Sequence, residues 1–381
     1  MKRREFLSKA AIAGLAGGTA LLAACNDDTK KAAAPQGEAN QAAAPAQVGK
    51  TVHWKMVTTW PPKFPILQTG ADDLARRVET MSNGRMKIDV YAANELVPGL
   101  GVFDAVSQGT AECGSGSPYY WAGKDPACQW FSAVPFGLNA QGLNAWFYSG
   151  GGMDLWDEVY GQFNLIGRPM GNTGVQMAGW FNREINSIDD FKGLKMRIPG
   201  LGGKVIARAG GTVVLLPGGE IFTSLERGVI DATEWVGPLH DLRMGFYQAA
   251  KYYYTPGWHE GGSCLDVMFN KDKFNALPSD LKAICEAAAA QTNMQALCDF
   301  EAQNGAALKE LVEKHHVQVR KLSPQTLADL RVLAREVVAE EATKSPMATK
   351  VAAGFNKFQE QWGSWADVSS RTYFDTMSIG V

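Results

Sequence analysis

The chain has 381 residues, 46% hydrophobic and 20% charged, with a formal charge of −2. These proportions fit a soluble globular protein and exclude a disordered one. The first 24 residues hold four of the 37 basic and one of the 39 acidic side chains, leaving 33 and 38, a balance of −5. That balance argues against nucleic acid, whose phosphates need a concentrated basic face.

Residues 1–25 read as an export leader. Lys2-Arg3-Arg4-Glu5-Phe6-Leu7 precedes an apolar run from Ala10 to Ala24 that is too short to span a bilayer. The paired arginines resemble a twin-arginine signal. Leu22-Ala23-Ala24-Cys25 resembles a bacterial lipobox with Cys25 as the lipidated first mature residue; a plain small-residue cleavage site is the alternative. Residues 26–50, rich in Ala, Pro and Gln after Asp27-Asp28, read as a flexible linker. The expected location is the periplasm. Cys113, Cys128, Cys264, Cys285 and Cys298 are odd in number and show no tight pair spacing, so free, buried thiols are expected.

From Thr51 strands alternate with helices. Val52, Trp54 and Met56 form a half-buried strand, Leu67 to Met81 has helical spacing, and Met86, Ile88 and Val90 alternate again. Such βα units predict a mostly parallel sheet. Val102-Phe103, five residues and Gly109-Thr110-Ala111-Glu112 are echoed by Ile221-Phe222, five residues and Gly228-Val229-Ile230-Asp231, each a short helix, a glycine and a strand. The second unit follows a strand, Thr212 to Leu216. Two lobes of related design follow: 51–172 and 173–266, the first also receiving part of the C-terminal region. Residues 267–381 read as helical, with Ser279 capping a helix to about Lys314 and further helices from Ser323-Pro324 and from about Met347 to Trp365.

No Walker motif, G-x-G-x-x-G, H-E-x-x-H or G-x-S-x-G occurs in a fitting context. What stands out is polar residues set in apolar strands. Gln176 lies in Val175–Phe181, read as a strand; Arg197 precedes Ile198-Pro199; Glu234-Trp235 follows Thr233; and Glu260 follows Trp258-His259. Each sits near a strand end, where open α/β sheets bind ligands.

Together, Arg3-Arg4, Thr58-Thr59-Trp60, Gly193–Pro199, Gly228–Ala232 and Glu234–Pro238 resemble the solute-binding receptors of TRAP transporters, in particular the 2-oxoacid and monocarboxylate branch. The resemblance implies an α/β, two-lobed periplasmic-binding-protein-like fold with a cleft between the lobes and long C-terminal helices. It makes Arg197 the carboxylate-binding residue and Gln176 a contact to ligand and metal. Glu234 and the Trp235 carbonyl become metal ligands, with Glu260 beside them, while Ser117, Tyr119 and Tyr120 become a loop facing the cleft. A guanidinium fork suits a carboxylate, and oxygen ligands suit a hard cation, sodium or calcium.

The implied function is non-enzymatic: binding a small organic acid and delivering it to the TRAP membrane permease. An exported, metal-assisted enzyme acting on a similar acid is the alternative. Arg197 is expected to serve the ligand rather than the core, so that its loss leaves stability unchanged. Val351, Phe355, Phe358 and Trp362 share one helical stripe. That segment either packs on its own lobes, giving a monomer, or projects into a second copy as the swapped homodimer the resemblance implies.

Overall fold

A computed structural model describes residues 51–377. The leader, Cys25 and the linker lie outside the described residues.

The first sheet begins with β1 (Val52–Thr58), β2 (Met86–Tyr91), β3 (Cys113–Gly116) and β4 (Leu165–Asn172). The chain then crosses to a second sheet built of β5 (Gly179–Phe181), β6 (Lys195–Arg197), β7 (Thr212–Val214), β8 (Ala232–Thr233) and β9 (Tyr252–Thr255). It crosses back for β10 (Cys264–Asn270), and β11 (Gln318–Lys321) returns to the second sheet. The strand orders are β2-β1-β3-β10-β4 and β11-β9-β5-β8-β6-β7. The boundary expected at residue 266 falls inside β10.

Both sheets are mixed, not mostly parallel as expected. β10 runs antiparallel to β3 and β4, and β5 runs antiparallel to β8 and β9. These are the strands entered directly from a crossing between lobes. No βαβ return precedes them, so nothing imposes a parallel direction. The crossings also correct the strand expected at Val175–Phe181, of which only Gly179–Phe181 pairs as β5. The preceding amides serve the crossing instead: Gln176 N–H donates to the Glu260 carbonyl at 3.2 Å, Met177 to Val236 at 3.1 Å and Ala178 to Tyr254 at 2.8 Å. The strand expected from Thr212 to Leu216 likewise stops at Val214.

A 35-residue helix, Ser279–Glu313, runs through both lobes. At 1.5 Å per residue it spans about 52 Å. Leu281, Cys285 and Ala288 pack with Met56, Met86 and Val267 of the first lobe. Ala296, Phe300 and Leu311 pack with Trp235 and Tyr253 of the second. Ser279 is the first helical residue rather than the cap; Pro278 holds the N-cap position, without a side-chain hydrogen bond.

The helix Pro346–Ala366 packs onto the first lobe, where Phe355 meets Trp146 edge-on at 5.1 Å. Val351 and Phe355 are buried, with Phe358 and Trp362 against the same core. Trp365 in its last turn and Val368, Tyr373 and Phe374 beyond it are exposed. Cys113, Cys128, Cys264 and Cys285 are buried free thiols, whereas Cys298 is exposed.

Asp266 on β10 is buried under the first sheet, accepting the Gly116 N–H at 3.1 Å and the Tyr160 hydroxyl at 2.8 Å. Burial pushes its carboxyl up to about 7. The folded state therefore holds this proton more tightly than the unfolded chain. The resulting stabilisation is complete below the unfolded value near 3.8 and is lost as pH rises through 7. A shift of this size corresponds to about 4 kcal/mol. Urea unfolding should show Asp266→Asn gaining on the wild type by an amount of that order between pH 4 and pH 8. A stability gap that does not change with pH contradicts this.

Candidate functional site

β6 and β8 are parallel neighbours, with Arg197 paired opposite Thr233. Their carboxyl ends therefore release Arg197 and Glu234 side by side, and the Glu234 N–H donates to the Arg197 carbonyl at 3.1 Å. The two crossings between lobes supply the remaining groups. Gln176 stands on the outgoing crossing and His259-Glu260 on the returning one. They run in contact: Gly257 N–H donates to the Gln176 carbonyl at 3.0 Å. A Cβ at Gly257 would lie 2.2 Å from that carbonyl oxygen, so only glycine permits this approach.

Arg197 is 1% exposed and Glu234 fully buried. Arg197 Nη1 donates to Glu234 Oε1 at 2.5 Å and to the Glu234 carbonyl at 3.0 Å, while Nε donates to the Leu216 carbonyl at 3.3 Å. The guanidinium carbon sits 5.1 Å from the centre of the Trp235 ring. Burial alone would pull the Arg197 pKa down, but Glu234, helped by Tyr120 and Tyr119, outweighs it and holds it above the usual value. The fork expected to face a ligand is thus partly committed to the protein. This corrects the expectation that Arg197 is neutral to stability, because its removal strands a buried carboxylate.

His259 Nε2 lies 3.3 Å from Glu234 Oε2, and Gln176 Nε2 donates to Glu260 Oε2 at 2.7 Å and to Thr173 Oγ1 at 3.1 Å. Burial, with Glu234 adding to it, pushes the Glu260 carboxyl well above its ordinary range, and Arg197 opposes this. Burial likewise raises the Tyr119 and Tyr120 phenols, leaving both as neutral hydroxyls at physiological pH. These tyrosines meet edge-on at 4.9 Å. They line a groove of about 320 Å³ together with Ile198-Pro199-Gly200 of the second lobe.

One ligating atom each from Glu234, His259 and Glu260 fall within 4.8 Å of one another. Gln176 Oε1 is buried without a partner among the described residues, and the Trp235 carbonyl accepts no hydrogen bond among them. Two carboxylates, an idle amide oxygen and a bare carbonyl fit a hard cation.

The structure thus brings together Gln176, Arg197, Glu234, Trp235 and Glu260, with Tyr119 and Tyr120 alongside. Ser117 is different. Its hydroxyl contacts Ser132 Oγ at 3.0 Å and donates to the Cys264 carbonyl at 3.0 Å, so it anchors the loop after β3 rather than presenting a free group. His259 was not singled out from sequence. Its only signal is its place between Trp258 and Glu260, and its role arises from the meeting of two distant segments.

A buried arginine and a set of oxygen atoms thus meet where the two crossings between lobes pass the carboxyl ends of β6 and β8. The chain belongs to the DctP family, bacterial extracellular solute-binding protein, family 7, which matches residues 56–345. It is 43% identical over 373 residues to the monocarboxylate 2-oxoacid-binding periplasmic protein of Nostoc sp. (strain PCC 7120), covering 98% of each chain. A TRAP periplasmic solute-binding protein from Pseudoalteromonas atlantica T6c, with bound sodium and pyruvate, superposes with a TM-score of 0.83 at 40% identity, over 86% of this chain and 99% of that one. Its counterpart from Colwellia psychrerythraea, with bound calcium and pyruvate, gives 0.83 at 41% identity over the same shares. These relatives are solute-binding receptors and not enzymes, which sets aside the exported-enzyme alternative.

Proposed function

We propose that this receptor binds a 2-oxo monocarboxylate, pyruvate or a close homologue, through Arg197 and a cation, and hands it to a TRAP permease. The observation that carries the reading is the buried Arg197–Glu234 pair beside Glu260, His259 and the idle Gln176 oxygen. Arg197 supplies the charge that a desolvated ligand carboxylate requires. Tyr119 and Tyr120, held neutral, offer hydroxyl donors at the cleft wall. Glu234, the Trp235 carbonyl, Gln176 and Glu260 would hold the cation, with His259 completing the set. When bound, that cation supplies positive charge for the ligand's carboxylate and 2-oxo oxygens. The relatives hold either sodium or calcium, and the oxygen set accepts both.

Closure of the lobes around the acid precedes delivery. Twin-arginine export and a lipid on Cys25 would keep the receptor beside its permease and raise its effective concentration there. Incubating the protein with pyruvate and longer 2-oxoacids tests the reading. NMR should find every acid unchanged while calorimetry finds one bound per chain; turnover, or no binding, contradicts it.

The stripe of the helix Pro346–Ala366 packs on its own lobe, the arrangement expected of a monomer, but the exposed Trp365, Val368, Tyr373 and Phe374 at and after its end support a homodimer through that end. Light scattering should give a dimer for the mature chain and a monomer for one ending at Ala366. Monomers in both cases end that part of the proposal.

A further inference from the structure

Two groups of the segment after β8 belong to the cation reading: the Glu234 side chain and the Trp235 carbonyl. A side chain is aimed by its own rotamers, whereas a carbonyl is aimed only by turning its peptide plane. The other end of this plane is the Val236 N–H. In a planar trans peptide, the N–H and C=O of one unit point in opposite directions. Fixing the Val236 N–H therefore fixes where the Trp235 oxygen looks.

That N–H donates to Oδ1 of Asp241 at 3.3 Å. Asp241 sits in the first turn of the helix Pro238–Met244, its own amide donating to the Gly237 carbonyl at 2.9 Å. Its second oxygen, Oδ2, accepts Trp180 Nε1–H at 3.0 Å and the Tyr253 hydroxyl at 2.7 Å. Those rings come from β5 and β9 and stack with centres 4.2 Å apart. Asp241 is 1% exposed, and no basic side chain among the described residues forms an ion pair with it. Burying a carboxylate without a counter-charge is costly, and a neutral acceptor would satisfy a tryptophan and a tyrosine alone. The third donor is what distinguishes Asp241 from core packing.

We propose that Asp241 is a positioning residue for the cation site. It grips the Val236 N–H against the second sheet and so holds the Trp235 carbonyl pointing away from Asp241. The inference rests on the cation reading above and adds a residue that touches neither cation nor acid. Such supporting groups commonly change metal affinity by about 10- to 100-fold when altered.

The experiment titrates calcium alone into the mature protein by calorimetry, and compares pyruvate affinity in sodium with that in choline at constant ionic strength. Asp241→Ala removes the grip, and cation affinity should fall by up to about a hundredfold. Asp241→Asn keeps the shape but leaves one acceptor oxygen for three donors; about a tenfold loss is expected. Should the alanine variant not fold, the asparagine variant decides. Tyr253→Phe deletes one donor to Oδ2 while sparing the Val236 bond, so it should lower the melting temperature yet keep wild-type cation affinity. Wild-type cation affinity in folded Asp241→Asn overturns the inference and leaves the cation reading standing. A wild-type protein that responds to neither calcium nor sodium overturns both.

Discussion

Replacing Arg197 with alanine should weaken pyruvate binding by about thirtyfold to several-thousandfold. The figure is the 2–5 kcal/mol typical of truncating one partner of a buried, hydrogen-bonded charge pair. The same change should also lower stability without ligand, because Glu234 is then buried without its counter-charge. Breaking a buried pair in this way costs about 3–5 kcal/mol. Arg197→Lys separates the two effects. An ammonium can still neutralise Glu234, so its melting temperature should stay close to the wild type. Its three donors cannot reproduce the planar fork that reaches the Glu234 carboxylate and carbonyl, the Leu216 carbonyl and a ligand carboxylate at once, so affinity should remain at least about tenfold down. Melting curves fix the folded fraction, and calorimetry on that fraction gives the affinity. A folded lysine variant with normal pyruvate affinity would limit Arg197 to holding Glu234.

Removing the cation should be nearly as damaging. Without it, Glu234 faces an incoming carboxylate with only Arg197 to balance both, and the burial that pushes up the Glu260 carboxyl is no longer offset by an ion. Charges of one sign in a partly dry cleft repel by roughly several kcal/mol. Affinity for pyruvate after exhaustive chelation and ion removal should therefore drop by about a hundredfold or more. Calcium or sodium should restore it, whereas choline at equal ionic strength should not. Glu234→Gln should reproduce the loss, and added cation should not rescue it. Equal affinity in ion-free buffer would remove the cation from the site and leave Arg197 as its centre.

The groups that follow strand ends were legible in the sequence. Arg197 before Ile198-Pro199 and Glu234-Trp235 after Thr233 sit where parallel neighbours stop, and local pattern alone locates such ends. The stripe of Val351 and Phe355 was legible for a similar reason, since one helix face meets one core. The Ser279–Glu313 helix has no such stripe, because its apolar residues serve the first lobe early and the second lobe later. Gln176 was seen but placed on a strand, since Val175–Phe181 has strand composition. Its amides instead tie the crossing to Glu260, Val236 and Tyr254, partners 59 to 84 positions away. His259 and Asp241 carry no local signature. Their significance comes from contacts with Glu234 and Val236 that only the folded chain creates. Ser117 shows the reverse case, a polar residue in a suggestive loop whose hydroxyl is consumed by neighbours.

The most direct test of the central claim is a crystal structure of the mature protein grown with calcium and pyruvate. The account predicts one pyruvate in the cleft, its carboxylate on Arg197 and the ion held among Glu234, the Trp235 carbonyl, Gln176 and Glu260. Pyruvate bound elsewhere, or bound here with Arg197 directed wholly to Glu234 and no ion beside it, would contradict that claim.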